Sequence, residues 1–502
     1  MRLCRCLISL PLLFSIFPST FSTFSTSPFS SSPRSHQCTS DVEVYAGWEE
    51  SKEEAEQAFY ESADWGALFL LYSILQLQIT RQFNLTGYLE KLRAESTSLC
   101  TAVVDKKGAA EKKSPKSSIF CASQLQTCKA SNIMVDFSGL ENRVRRENLR
   151  YSTEIFRAGQ LQVSGCSLDK YFLEQASASF PLQSWGPELR HLVEVDEEEL
   201  QCDVTIDTPT LIVKLDATSN MYHHFCDFFN IFLSLNLNDS LSPEPAGRQV
   251  IILDNHPYHS SFKPAWQSLT NRTLWDLNSV AGKRICFKDV LFPLLPRMVY
   301  GLFYGTPLIP GCHSSSMFSA FSRWFSSTVG LPNPFPEPLI KLTLLSRATK
   351  YRQILNEQEI VQALQGEGYQ VTLAEFTPRV PFKEQLEIIR KTDILVGIHG
   401  AGLTHLLFLP DWAHVVELYN CDDPGCYMDL ARLRGVGYST WEAEELLTQV
   451  PGDQSDPNAR GPAHKKFANY IFDLKETLRI VGEAREKVAS NKKLLYRNYD
   501  EL

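Results

Sequence analysis

The residues best suited to chemistry in this 502-residue chain fall into two groups. The first is the turn His399-Gly400-Ala401-Gly402, which leaves the apolar run Ile394 to Ile398 and passes directly into Leu403-Thr-His-Leu-Leu-Phe-Leu409. Glycine lets another group approach the backbone closely. A helix opening after such a turn points free N–H groups and a positive dipole end at the gap, which suits a phosphate. Arg347 and Arg352 follow an earlier apolar run, and a guanidinium fork matches phosphate oxygens two at a time. Glu417, within the run Val415-Val-Glu-Leu-Tyr419, offers a carboxylate to ribose hydroxyls by analogy with acidic residues at the ends of nucleotide-binding strands. The second group is Asp216-Ala-Thr-Ser-Asn-Met-Tyr-His-His-Phe-Cys-Asp227. With a helix starting near Asn220, His223 and Asp227 stand four residues apart on one face. An imidazole beside a carboxylate is the usual means of making a base near neutral pH. Spacing alone leaves open which of the two is the base.

These groups need elements that hold them. Leu339–Leu345 reads as a strand and Asn356–Leu364 as a helix with Ile360 and Leu364 on one face. Gln370–Phe376 reads as a second strand, and Phe382, Leu386 and Ile389 mark the apolar face of a second helix. Ile394–Ile398 and Val415–Tyr419 supply a third and a fourth strand. Strands alternating with helices in this rhythm imply parallel β-α-β units, whose ligands bind beyond the carboxyl ends of the strands. Upstream, strands are expected at Asn132–Phe137, Thr210–Leu215 and Gln249–Leu253, and Leu331-Pro-Asn-Pro-Phe-Pro-Glu-Pro338 reads as a stiff linker. The expected fold is therefore α/β and GT-B-like, with two Rossmann-like domains built on doubly wound, mostly parallel sheets. The divisions are a signal peptide at 1–25, a helix-rich region at 38–130, an acceptor-side α/β domain at 131–330 and the linker at 331–338. A nucleotide-sugar domain at 339–445 and a loop, C-terminal helix and tail at 446–502 complete the chain.

Composition narrows the partners. A net charge of −9 and a pI near 5.7 argue against nucleic acid or an anionic membrane surface. Met1-Arg-Leu-Cys-Arg5 followed by the apolar Leu7–Phe17 is a cleavable leader, shorter than the roughly 20 residues of a spanning helix. The uncharged Trp65–Thr80 reads as a buried helix, so no stable membrane span is expected. Of the 13 cysteines, Cys4 and Cys6 fall in the leader, which leaves an odd number for an oxidising compartment. Cys421 and Cys426 are expected to close a small loop, and Cys202, Cys226, Cys286 and Cys312 to staple the middle region. No C-x-x-C pair exists, which excludes a thioredoxin-like redox role and a ribbon-type zinc site. Asn84, Asn238 and Asn271 open glycosylation sequons. The terminal Tyr499-Asp500-Glu501-Leu502 is similar to the Lys/His-Asp-Glu-Leu address read by a KDEL-type receptor, so the expected location is the lumen of the endoplasmic reticulum. No Asp-x-Asp occurs, so a metal-bridged diphosphate has no obvious ligands and no metal or other cofactor is expected. Cationic side chains and the helix terminus would carry that charge.

Three motifs taken together resemble glycosyltransferase family 61: Asn220-x-x-His223-x-x-x-Asp227, Leu345-Ser-Arg-x-x-x-Tyr-Arg352 and His399-Gly-Ala-Gly-Leu-Thr-His405. Gly400 to Trp412, Tyr427-x-Asp-Leu-Ala-Arg-Leu-Arg-Gly435, Pro181–Trp185 and Pro296–Tyr304 extend the likeness, which covers roughly Asn132 to Trp441 and is poor upstream of Cys128. The resemblance implies an inverting transferase that moves N-acetylglucosamine from UDP-GlcNAc to Ser or Thr hydroxyls of folded EGF repeats. Its acceptors would be secreted or membrane proteins carrying such repeats. On this reading the base lies in the His223/Asp227 pair. Arg347, Arg352, His399 and the N–H groups of Gly400, Ala401 and Gly402 hold the diphosphate, and Glu417 the ribose. Two alternatives stay open: a sister activity on O-mannose glycans with the same donor, and a lumenal binding or quality-control protein without turnover.

Overall fold

The computed structural model describes residues 96–102, 117–122, 125–150, 153–176, 182–237, 247–297, 315–418, 425–451 and 465–500. The leader, Trp65–Thr80, Asn84, Asn238, Cys312, Cys421, Glu501 and Leu502 lie outside the described residues. Tyr499 and Asp500 close the helix Leu474–Asp500.

The second half carries a five-stranded sheet in the order Gln370–Glu375, Lys341–Ser346, Ile394–Gly397, His414–Glu417, Gly437–Thr440. All its neighbours pair in parallel. In chain order this is 2-1-3-4-5, a doubly wound arrangement whose connections diverge between strands one and three and leave a crevice there. Alternate side chains explain how the sheet is covered on both faces. Leu342, Leu344, Ile394, Val396 and Val416 pack with Ile360 and Leu364 of the helix Glu357–Gly366 and with Ile480, Val481, Ala484 and Val488 of the C-terminal helix. Leu345, Leu395 and Val415 face the other way, toward Phe382, Leu386 and Ile389 of Phe382–Ile389 and toward Leu430 and Leu433 of Gly425–Arg434.

The first half departs from expectation. Its nine-stranded sheet is mixed rather than mostly parallel. Cys128–Asp136 runs antiparallel to Ser118–Cys121 and to Arg284–Phe292. Beyond Arg284–Phe292 the sheet continues in parallel through Thr210–Val213 to Gln249–Ile252, and parallel pairs also join Leu161–Val163 to Leu192–Glu194 and Val204–Ile206 to Arg284–Phe292. The physical reason is the connection. Strands 118–121 and 128–136 are joined by a tight loop whose ends, Cys121 and Cys128, face each other in the ladder and are disulfide-bonded, and a short loop permits only antiparallel pairing. The region expected to be helix-rich is stranded where it is described, at Thr97–Ser98, Cys100–Ala102 and Ser118–Cys121. Two further disulfides, Cys100–Cys166 and Cys202–Cys286, tie this half together. Cys226, expected among the staples, is instead a buried free thiol on the helix Met221–Leu237.

That helix joins the halves. Leu211, Val213, Val250 and Ile252 of the first sheet pack beneath it, and the same core continues into the second half. Phe225 meets Phe325 at 5.5 Å, Phe382 at 5.5 Å and Phe408 at 5.4 Å between ring centroids. A helix apolar on nearly every side must be buried on every side, and here the second half supplies what the first sheet cannot cover. The Pro-rich segment is pinned as well, with Arg390 donating to the Pro332 carbonyl and Lys492 to that of Glu337.

Candidate functional site

Arg347 follows the first strand of the parallel sheet and the His399 turn follows the third, so the two flank the crevice at the switch point. Arg347 Nη1 donates to the His399 carbonyl at 3.2 Å, and Arg352 Nη1 donates to the same oxygen at 3.0 Å. Neither guanidinium pairs with a carboxylate among the described residues, and Arg352 Nε is buried without an acceptor there. Burial and the like charge of Arg352 lower Arg347 to about 10, which leaves it cationic at neutral pH. Two cations converging on one neutral oxygen concentrate positive charge at this edge of the crevice. Gly400 is what permits the convergence: a Cβ there would overlap Arg347 Nη1 and lie 3.3 Å from Arg347 Cζ and 3.5 Å from Arg352 Nη1. Arg352 itself has φ +59°, a left-handed conformation unusual for a side-chain-bearing residue, held by its N–H donating to the Ala468 carbonyl at 2.7 Å.

The turn continues as a 3-10 helix, Ala401–Phe408, rather than an α-helix. Gly402 is exposed and Ala401 partly so at its amino end, whereas Leu403 to Phe408 are buried. His399 Nδ1 lies 2.5 Å from Glu417 Oε1, and Tyr438 Oη donates to the other oxygen at 2.5 Å. Glu417 is thus buried with both oxygens engaged, and the carboxylate expected on ribose holds His399 in place instead.

The second group also arranges itself differently. Asn220 Oδ1 accepts the Tyr222 N–H and caps the helix Met221–Leu237, as the sequence places it. Yet His223 does not pair with Asp227. His223 Nδ1 lies 2.6 Å from Asp216 Oδ2, while Arg297 Nε and Nη2 donate to Asp216 Oδ1 at 3.0 and 2.8 Å. Burial would raise the Asp216 carboxyl, but His223 and Arg297 outweigh it and hold it below the usual carboxylate range. Asp227 takes the opposite course. Burial and the charge of Asp216 push it well above the usual range. Its oxygens accept the Asp216 N–H at 3.1 and 3.2 Å and meet His224 Nδ1 at 3.1 Å. His224, lowered by burial to about 3, contacts Tyr258 Oη at 2.7 Å. Asp227, His224 and Tyr258 therefore form a chain in which burial disfavours charge on every member. Adjacent histidines on one helix have opposite surroundings, and only His223 keeps a partly exposed ring, at 15%.

Two tyrosines link the groups. His399 meets Tyr427 at 5.1 Å, Tyr427 meets Tyr222 at 5.6 Å and Tyr222 meets His223 at 5.8 Å between ring centroids. The arginine pair of the second half and the His223–Asp216 pair of the first thus border one region. Asp216, Arg297, Tyr427 and Tyr438 are site residues that the sequence reasoning passed over. Asp216 alone had a signal: it opens the segment that follows the parallel strand Thr210–Val213. Asn271 is exposed, in a loop.

The crevice, its paired guanidiniums and its carboxylate-held imidazoles lie at the strand ends of an α/β protein. The chain belongs to glycosyltransferase family 61: the model described as Glycosyltransferase 61 matches residues 221–416. Three relatives carry the name EGF domain-specific O-linked N-acetylglucosamine transferase. The Drosophila melanogaster protein is 43% identical over 460 residues, 89% of this chain and 80% of the relative. The Xenopus laevis protein is 38% identical over 468 residues, 92% and 82%, and the Pan troglodytes protein 36% over 469 residues, 91% and 81%. These matches reach well beyond the stretch from Asn132 to Trp441 that the motifs delimit.

Proposed function

We propose that this glycosyltransferase moves N-acetylglucosamine from UDP-GlcNAc to Ser or Thr hydroxyls of folded EGF-like domains, with inversion at the anomeric carbon. The observation that carries the reaction class is the convergence of Arg347 and Arg352 on the His399 carbonyl at the sheet's switch point. The names of the relatives supply the acceptor and the sugar. We propose a GT-B-like disposition, with the donor held by the half at 339–445 and the acceptor approaching from the half at 131–330.

In such a reaction the acceptor oxygen attacks the anomeric carbon as the bond to the UDP oxygen breaks, and UDP leaves with the electron pair. Arg347 and Arg352 meet the charge that develops on the diphosphate. His223 takes the acceptor proton, because its ring is partly exposed whereas the Asp227 carboxyl is buried. The guanidiniums supply the positive charge that departure needs, so activity is expected without added divalent metal. Tyr499-Asp-Glu-Leu502 and the leader support a site of action in the endoplasmic reticulum lumen.

The test is UDP release from UDP-GlcNAc with a folded EGF repeat, an O-mannosyl peptide or no acceptor, each with and without EDTA. Turnover on the EGF repeat is expected. Turnover on the O-mannosyl peptide alone moves the assignment to the sister activity, absence of turnover on any hydroxyl removes the enzyme reading, and loss with EDTA overturns metal independence.

A further inference from the structure

The two histidines of the helix Met221–Leu237 pose a question that the reaction class does not answer: what makes one of them a base and the other inert. Both meet a carboxylate through Nδ1. The difference lies in what else the carboxylate touches. Asp216 is only 4% exposed at its side chain, and its oxygens are divided, Oδ2 to His223 and Oδ1 to the fork of Arg297. Its backbone N–H is held by Asp227. With one oxygen clamped by a guanidinium and the main chain fixed, the carboxylate has no freedom to rotate away from the imidazole. Among the described residues no guanidinium bonds Asp227, and its imidazole is wholly buried.

We propose that Asp216 is the positioning residue of His223, fixing the Nδ1–H tautomer so that Nε2 receives the acceptor's proton, and that Arg297 locks the Asp216 carboxylate in that pose. The proposal rests on the reading of His223 as the base. The hydroxyl proton passes to Nε2 as the oxygen bonds the anomeric carbon, and the imidazolium so formed is stabilised by Asp216 across the 2.6 Å contact. An imidazole left without that partner divides between tautomers and rotates, and loses rate without losing substrate. Asp227 then acts at one remove, by seating the Asp216 backbone.

The experiment compares kcat and KM of Asp216→Asn, Arg297→Met and His223→Ala with the parent enzyme, using UDP-GlcNAc and a folded EGF repeat, together with UDP affinity and the melting temperature. Asp216→Asn is expected to lower kcat about 100-fold or more with both KM values and UDP affinity unchanged. Arg297→Met is expected to lower kcat about tenfold by the same criterion, since a less constrained carboxylate still reaches His223. A parent-like kcat in Asp216→Asn, or a loss confined to KM, overturns the proposal. Should Asp216→Asn fail to fold, Arg297→Met decides, and a parent-like kcat there overturns it too. A parent-like kcat in His223→Ala removes the reading beneath and the proposal with it.

Discussion

Gly400 lies directly under the guanidinium of Arg347, and a single added methyl would occupy the position of Nη1. The obstructed atom is the tip of a flexible side chain, so the arginine gives way, and the φ of +155° at Gly400 strains any residue that carries a side chain. Gly400→Ala is expected to lose about 1–3 kcal/mol of stability to backbone strain and to weaken UDP binding by about tenfold or more, the worth of one charge-assisted hydrogen bond. Calorimetric titration with UDP beside a melting curve checks it. Unchanged UDP affinity would remove the arginine cradle from the donor site.

Arg352 separates backbone from side chain. Its φ of +59° costs strain that glycine does not incur. Arg352→Gly should therefore retain or gain stability yet lose about 10- to 100-fold in UDP affinity, as should Arg347→Ala without the gain. Equal loss of stability and binding in Arg352→Gly would assign the residue to the fold alone.

Acid should weaken this protein through histidines that cannot charge in place. Burial lowers His224 to about 3, His405 to about 4 and His414, helped by the charge of Lys487, to about 4, all from 6.5. Below 6.5 the unfolded chain binds these protons and the folded chain does not, so stability falls with pH through the window from 6.5 to about 4. Each histidine contributes a slope of about 1.4 kcal/mol per pH unit inside it. Urea unfolding at a series of pH values should show that decline, and His414→Gln should make it shallower. A flat profile would contradict the burial assigned to these rings.

Phe225 touches rings from both halves. Phe225→Ala is expected to cost about 3–5 kcal/mol, and far-ultraviolet dichroism and tryptophan fluorescence should still report one coincident unfolding transition. Two separated transitions would mean that the halves are independent bodies.

Much of this site is visible in the sequence where local rules decide. The β-α rhythm after residue 339 determines a parallel sheet, and the carboxyl-end rule then brings Arg347, Arg352 and the His399 turn to one edge. The capped helix start at Asn220 is equally local. Sequence spacing fails where the decisive partner comes from another segment. The i, i+4 rule pairs His223 with Asp227, but Asp216 folds back from the loop before the helix, and Arg297 arrives 81 positions later to hold it. Glu417 occupies the right strand end, yet burial and Tyr438 turn its carboxylate to His399. The mixed first sheet follows from short connections that periodicity does not register.

The shared aromatic core has a consequence for synthesis. The helix Met221–Leu237 emerges from the ribosome long before Phe382, Phe408 and Tyr427, the rings that cover it. A nascent chain ending near the Pro-rich segment would lack Phe382 and Phe408, which pack against Phe225, and Tyr427, which packs against Tyr222. Such intermediates aggregate. The first half should therefore not mature on its own, and truncations before residue 434 are expected to be held by chaperones or cleared rather than exported as a folded domain.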